Sequence, residues 1–332
     1  MGYAVSIDIF NSLLKELQNR YKIYAPKIFM DKGRLSDTDL VSYGEIETVE
    51  EMVFDRKTVF SPKEIIFPIN QTMFYFTKEE FREIPEEKDV IIFLRSCDLN
   101  GIKCLDQIFL ENGPYSDIYY KRLRDKARFF LMDCNEGWEN CFCVSMGSNK
   151  AEGYSVYLKK ENGQVFCQVE DDEFQELFKK YGTEIEFEPH FIEKNKITVK
   201  VPDQIDPGIF DHQIWQEYTA RCSSCGRCTV SCPTCSCFTL QDVFYRDNQD
   251  CGERRRVWAS CMTDGFTDMA GGVSFRSQSG DRMRYKTMHK ILDFKKRFGF
   301  YMCVGCGRCD DVCPEYISFS KCINRLGEIM GR

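Results

Sequence analysis

The sequence predicts an α/β domain over residues 1–205 joined to a mainly helical domain over 206–332. Three observations carry this. "DVIIFLRSC" (89–97) and "ARFFLMDC" (127–134) are short, almost continuous apolar runs, as expected of strands buried on both faces, and a helical pattern lies between them. "PDQIDPGIFDH" (202–212) is rich in Pro, Asp and Gly and marks a boundary. Beyond it a four-cysteine spacing appears twice, separated by segments with helical periodicity.

The elements follow in order. "SIDIFNSLLKELQNRY" (6–21) spaces Ile9, Phe10, Leu13, Leu14, Leu17 and Tyr21 as one helix face. Residues 22–82 are mixed, with short strands expected around "DLVSYGEI" and "KEIIFPI". The first buried strand (89–97) is followed by a helix, "LNGIKCLDQIF" (99–109), and the second strand (127–134) completes a parallel unit. Both strands end in a cysteine, and the ends of such strands are where α/β folds place their sites. "YSVYLKKENGQVFCQVE" (154–170) is a hairpin with Asn162-Gly163 at the turn, where positive φ is needed. "DDEFQELFKKYG" (171–182) reads as a short helix stopped by Gly. "RMRYKTMHKILDFKKRFG" (282–299) sets Tyr285, Met288, Ile291, Leu292 and Phe298 on one side, with basic residues around the rest and Gly299 as a stop.

Composition bounds the function. The chain has 332 residues, 43% hydrophobic and 29% charged, which is globular rather than disordered. A formal net charge of −7 argues against general nucleic-acid binding, which rests on neutralising phosphates. No apolar run approaches the roughly 20 residues needed to span a bilayer. The start, "MGYAVSIDIF", lacks a basic region followed by an apolar stretch, so a cytoplasmic protein is expected. Nineteen cysteines in a long chain of this kind point to metal ligands rather than a disulfide framework.

Cys222-x2-Cys225-x2-Cys228-x3-Cys232-Pro233 and Cys303-x2-Cys306-x2-Cys309-x3-Cys313-Pro314 carry the spacing of ferredoxin [4Fe–4S] clusters. Three thiolates two residues apart wrap one face of a cubane. The fourth stands on the following segment, points away and ligates the partner cluster. One cluster is therefore expected on Cys222, Cys225, Cys228 and Cys313. The other is expected on Cys303, Cys306, Cys309 and Cys232. Gly226 and Gly307 let the backbone pass close to the cofactor. Structural zinc favours two separated pairs of ligands, which this repeated motif does not resemble. The second domain is thus expected to be an α-helical ferredoxin-like domain with two [4Fe–4S] clusters.

The other cysteines divide. Cys97 ends the first buried strand, and Cys134-x6-Cys141-x-Cys143 follows the second. Two readings stay open for these four: a third [4Fe–4S] cluster at one sheet edge, or buried inert thiols. Cys104 and Cys167 read as core. Cys235, Cys237 and Cys261 either line a cluster's surroundings or are structural, and Cys251 and Cys322 carry no local signal. No Gly-x-Gly-x-x-Gly opens a helix and no P-loop occurs, so a bound nucleotide is not expected. Such a chain passes single electrons and has no catalytic residues of its own; it needs a flavin partner to split electron pairs.

"RSCDLNGIKCLD", "CFCVSMGS", "CSSCGRCTVSCPTCSCF", "RRRVWASC", "AGGVSFRS", "HKILDFKKRFG" and "CVGCGRCDDVCPEYI" in this order resemble the iron–sulfur electron-transfer component of anaerobic sulfite reductases, and the related β-subunits of cytoplasmic sulfhydrogenases. The resemblance implies an electron-transfer subunit that links a flavin- and NADH-binding subunit to a sirohaem subunit that reduces sulfite. It also favours the third cluster at Cys97, Cys134, Cys141 and Cys143. The alternative it carries is the same relay serving a sulfhydrogenase-type complex.

Overall fold

The computed structural model describes residues 1–83, 88–134 and 136–331. The described strands are β1 (Gly2–Ser6), β2 (Tyr21–Phe29), β3 (Leu40–Glu45), β4 (Asn70–Phe76), β5 (Phe81–Glu83), β6 (Asp89–Leu94), β7 (Ala127–Met132), β8 (Val156–Glu161), β9 (Gln164–Val169), β10 (Thr183–Ile185), β11 (Phe238–Tyr245), β12 (Asn248–Trp258), β13 (Asp268–Met269) and β14 (Val273–Ser274). Eight of them form one mixed sheet in the order β10-β1-β9-β8-β7-β6-β2-β3. Its centre, β2-β6-β7-β8, is parallel, and antiparallel strands close both edges.

The continuous apolar runs do what their composition requires. In β6, Ile91 and Phe93 enter one core while Val90, Ile92 and Leu94 enter the other. Phe130 and Phe129 divide the same way in β7. Helices Ile7–Leu17 and Asp172–Tyr181 pack on each other over the first face. Helices Ser96–Phe109 and Ile118–Asp125 cover the second. Asn162 and Gly163 take φ of 50° and 76° at the β8–β9 turn. Asp171 caps the helix Asp172–Tyr181 by accepting from the Glu173 N–H.

Several expectations are corrected. The first helix spans only Ile7–Leu17; Tyr21 opens β2, and Ile9 is exposed. "KEIIFPI" is a single helical turn, Lys63–Ile66, held between Pro62 and Pro68, neither of which can donate a ladder hydrogen bond. The helix after β6 starts at Ser96, so Cys97 lies in its first turn rather than at a strand end. The region beyond residue 206 is not all helical: β11 and β12 form a long hairpin within it. That hairpin pairs with β4, and β4 with β5, giving a second sheet, β11-β12-β4-β5, built from both halves of the chain.

The halves are also joined through the core. Phe67 stacks on Trp258 with ring centroids 5.7 Å apart. The fully buried Arg308 makes a bidentate ion pair with the fully buried Asp98, at 2.6 and 2.9 Å. The C-terminal region is thereby seated beyond the carboxyl ends of β6 and β7, where an open parallel sheet leaves its crevice.

Candidate metal centres

Both cysteine motifs fold alike. Cys222 caps the helix Ile214–Arg221, and a turn through Gly226 (φ +74°) starts the short helix Arg227–Val230. In the second motif Gly307 (φ +71°) starts Arg308–Asp311. Only glycine adopts this left-handed entry without strain. At Gly307 space adds a second demand, because a Cβ there would stand 2.1 Å from the Asn140 carbonyl oxygen. Gly307→Ala is therefore expected to displace the second motif from the loop around Asn140. Iron retained per chain should fall by about four atoms, measured colorimetrically after anaerobic purification.

The paired motifs enclose two adjoining cavities. One is lined by Cys222, Cys225, Cys228, Cys309 and Cys313. The other is lined by Cys228, Cys232, Cys303, Cys306 and Cys309, so Cys228 and Cys309 face both. Each cavity thus takes thiols from both motifs. Among the described residues, no three His, Cys, Asp or Glu side chains close on one point as a single ion requires. The thiols ring open space instead.

Charge fits the same picture. Lys63, Lys286 and Lys290 are all buried, and among the described residues no carboxylate forms an ion pair with any of them. The Lys290 Nζ donates to Thr234 Oγ1 at 2.6 Å and to Cys232 Sγ at 3.4 Å. The Lys63 Nζ donates to the carbonyls of Cys235 and Thr229, at 2.9 and 3.2 Å, and lies over the Trp258 ring. Burial pushes the Cys303 thiol up to about 12 and Cys306 to about 11, against the pull of Lys290 and Arg308 respectively. Cys232 is instead held well below an ordinary thiol, first by a hydrogen bond with Cys235 and then by Lys290 and Lys63. Burial alone would lower the Lys290 ammonium, but the charges of Cys232, Cys235 and Cys303 hold it well above its usual value. Lys286 has Asp310 beside it, but Lys63 and Lys290 have no carboxylate paired to them among the described residues, and buried ammonium groups in that position call for an anionic occupant. Thiolate donors, enclosed space and positive charge together suit [4Fe–4S] clusters.

The N-terminal cysteines gather beside the second motif. Cys134 follows β7, Cys141 lies on the loop that leads from it, and Cys143 opens the short helix Cys143–Met146. Cys141 Sγ reaches the Cys306 carbonyl at 3.6 Å, and the Phe142 N–H donates to the Gly305 carbonyl at 2.8 Å. Lys57 donates to that Cys306 carbonyl at 3.0 Å and pairs with Asp311 at 2.5 Å. Burial pushes the Cys143 thiol up to about 12, with Cys141 and Cys134 as nearby charges. Cys97 is raised by burial and by Asp98, and it lies within electrostatic reach of Cys306 and Cys143.

Other side chains take plainer places. Cys104 and Cys167 are buried in hydrophobic cores. Cys237 and Cys261 lie near each other at the base of the β11–β12 hairpin, where the Ala259 N–H donates to the Cys237 carbonyl. His289 stacks on Tyr285, and burial lowers its pKa to about 4. In the sequence Lys286 and Lys290 read as part of a basic helix with two readings, a solvated face or a means of docking a partner or offsetting cluster charge, and the burial of these lysines and of Lys63 was not foreseen. The signal available was the i, i+4 spacing of Lys286 and Lys290, which puts both on the same side of the helix as the buried Met283.

Residues 221–317 match the family model described as a 4Fe-4S dicluster domain. The whole chain is similar to sulfhydrogenase 2 subunit beta of Pyrococcus furiosus, with 30% identity across 97% of each chain. With two adjoining thiol-lined cavities inside a dicluster domain, and a likeness that runs its full length, this protein belongs to the family of sulfhydrogenase β-subunits and is an iron–sulfur electron-transfer subunit.

Proposed function

We propose that the chain relays single electrons inside a sulfhydrogenase-type complex. The pair of adjoining cavities, each lined by thiols of both motifs, carries this reading. In it, Cys222, Cys225, Cys228 and Cys313 hold one cluster, and Cys303, Cys306, Cys309 and Cys232 hold the other. When bound, each cluster accepts and passes on one electron at a time. The protein's own part is to fix the thiolates, exclude water and supply positive charge. Gly226 and Gly307 allow close backbone approach. Cys97, Cys134, Cys141 and Cys143 extend the relay with a third cluster; the contact of Cys141 with the Cys306 carbonyl and the place of Cys97 within electrostatic reach of Cys306 support this, since a cluster there would continue the line toward the sheet. Residues 1–205 then form the α/β platform, and 206–332 carry the two motifs.

The likeness to a sulfhydrogenase subunit favours hydrogen-linked partners over the sirohaem subunit that the sequence blocks suggested. A flavin subunit is still required to divide hydride into single electrons. Among the described residues no helix is long and apolar enough to cross a membrane. The native complex, isolated anaerobically, distinguishes the partners. Hydrogen gas should reduce the chain's clusters and bleach their visible absorption. A co-purifying sirohaem band, with no response to hydrogen but reoxidation by sulfite, would overturn the hydrogenase reading in favour of the sulfite relay.

A further inference from the structure

The helix that begins at Ser279 is broken by a π-helical turn at His289–Asp293 before it continues to Phe298. Such turns widen the hydrogen-bond ladder and occur often at functional sites. Here the Lys290 carbonyl accepts from Met302 N–H at 3.0 Å and Cys303 N–H at 3.4 Å, which ties the helix to the start of the second motif. On the same side of the helix, Lys286 and Lys290 send their ammonium groups inward, and both are at most 4% exposed.

Their positions differ in a telling way. Lys286 lines both cavities, whereas Lys290 lines only the one formed by Cys232, Cys303, Cys306 and Cys309. Lys286 shares the lining of both cavities with Cys228 and lies 5.3 Å from the Phe319 ring centroid. Asp310 is the acid beside it, and its carboxylate already accepts from the Phe319 N–H and the Ser318 hydroxyl.

We propose that Lys286 and Lys290 are positioning residues that set the reduction potentials of the relay, Lys286 acting on both clusters and Lys290 on one. The inference rests on the reading that both cavities hold clusters. Adding an electron to a cluster adds negative charge, and a fixed cation in a water-poor site favours that state. Each ammonium therefore raises the potential of the cluster it faces. A cation shared by both sites keeps the two potentials in step, which suits transfer between them.

The test is a redox titration of the anaerobically purified full chain, followed by electron paramagnetic resonance, with iron counted in each sample. Lys286→Met should lower the reduced-to-oxidised ratio of both clusters about tenfold at a fixed applied potential, equivalent to about 59 mV per one-electron couple. Lys290→Met should do so for one cluster only. Lys286→Arg keeps the charge and should restore most of the ratio. Titrations that superimpose on wild type at full iron content overturn the proposal, as does an equal shift in Lys286→Arg and Lys286→Met. If Lys286→Met loses iron, Lys290→Met decides: a shift in both clusters or in neither overturns the assignment. A wild-type chain without iron overturns this inference together with the reading beneath it.

Discussion

Replacing Cys306 with alanine is expected to remove one cluster and to stop the relay at that point. Cys306 is buried, lines the second cavity and presents its carbonyl to both Cys141 and Lys57. A cubane with three remaining thiolates loses a corner, and the vacated side faces Arg308 and Lys57, whose charges no longer meet a thiolate. Iron and acid-labile sulfide should each fall by about four per chain. Hydrogen-dependent reduction of the downstream subunit should fall by at least about tenfold, as expected when a metal site is disrupted. The first cavity keeps its own thiols, so one cluster signal should survive. Full iron content with unchanged transfer in this variant would remove the second cavity from the relay.

Asp98→Ala is expected to be the most destabilising of the single changes considered. Arg308 would be left buried and charged, with Thr58 as its remaining hydrogen-bond partner among the described residues. Removing one member of a buried pair costs about 3–5 kcal/mol, because the other charge stays uncompensated. The pair also joins the first turn of the helix after β6 to the second motif, so the loss falls where the two halves of the chain meet. The thermal midpoint should drop by roughly 5 °C. Asp98→Leu combined with Arg308→Met should recover much of it, since an apolar pair leaves no buried charge. A midpoint for Asp98→Ala within about 1 °C of wild type would show that the pair does not hold the halves together.

The sequence was most legible where one periodicity dominated. β6 and β7 stand as apolar runs because both faces are covered, and the Asn-Gly turn leaves few alternatives for its hairpin. The two cysteine motifs were visible because cluster ligation demands fixed spacing. The β11–β12 hairpin was hidden because its strands carry Asp242, Glu253, Arg254 and Arg255 in place of a clean alternation. Its partner β4 is distant in the chain, so its stability is not local. The lysine pair was hidden for a related reason. A lysine is ordinarily a surface residue, and only the thiols of another segment explain its burial. The approach of Cys141 and Cys97 to Cys306 depends on where β6 and β7 end, and cysteine spacing alone does not contain that information.

Iron, acid-labile sulfide and zinc per chain, counted on wild-type protein purified without oxygen, test the central claim most directly. Two clusters in the adjoining cavities require about eight iron and eight sulfide. About twelve of each places a third cluster at the ends of β6 and β7 as well. Zinc bound without sulfide, or iron near four per chain, would contradict the account.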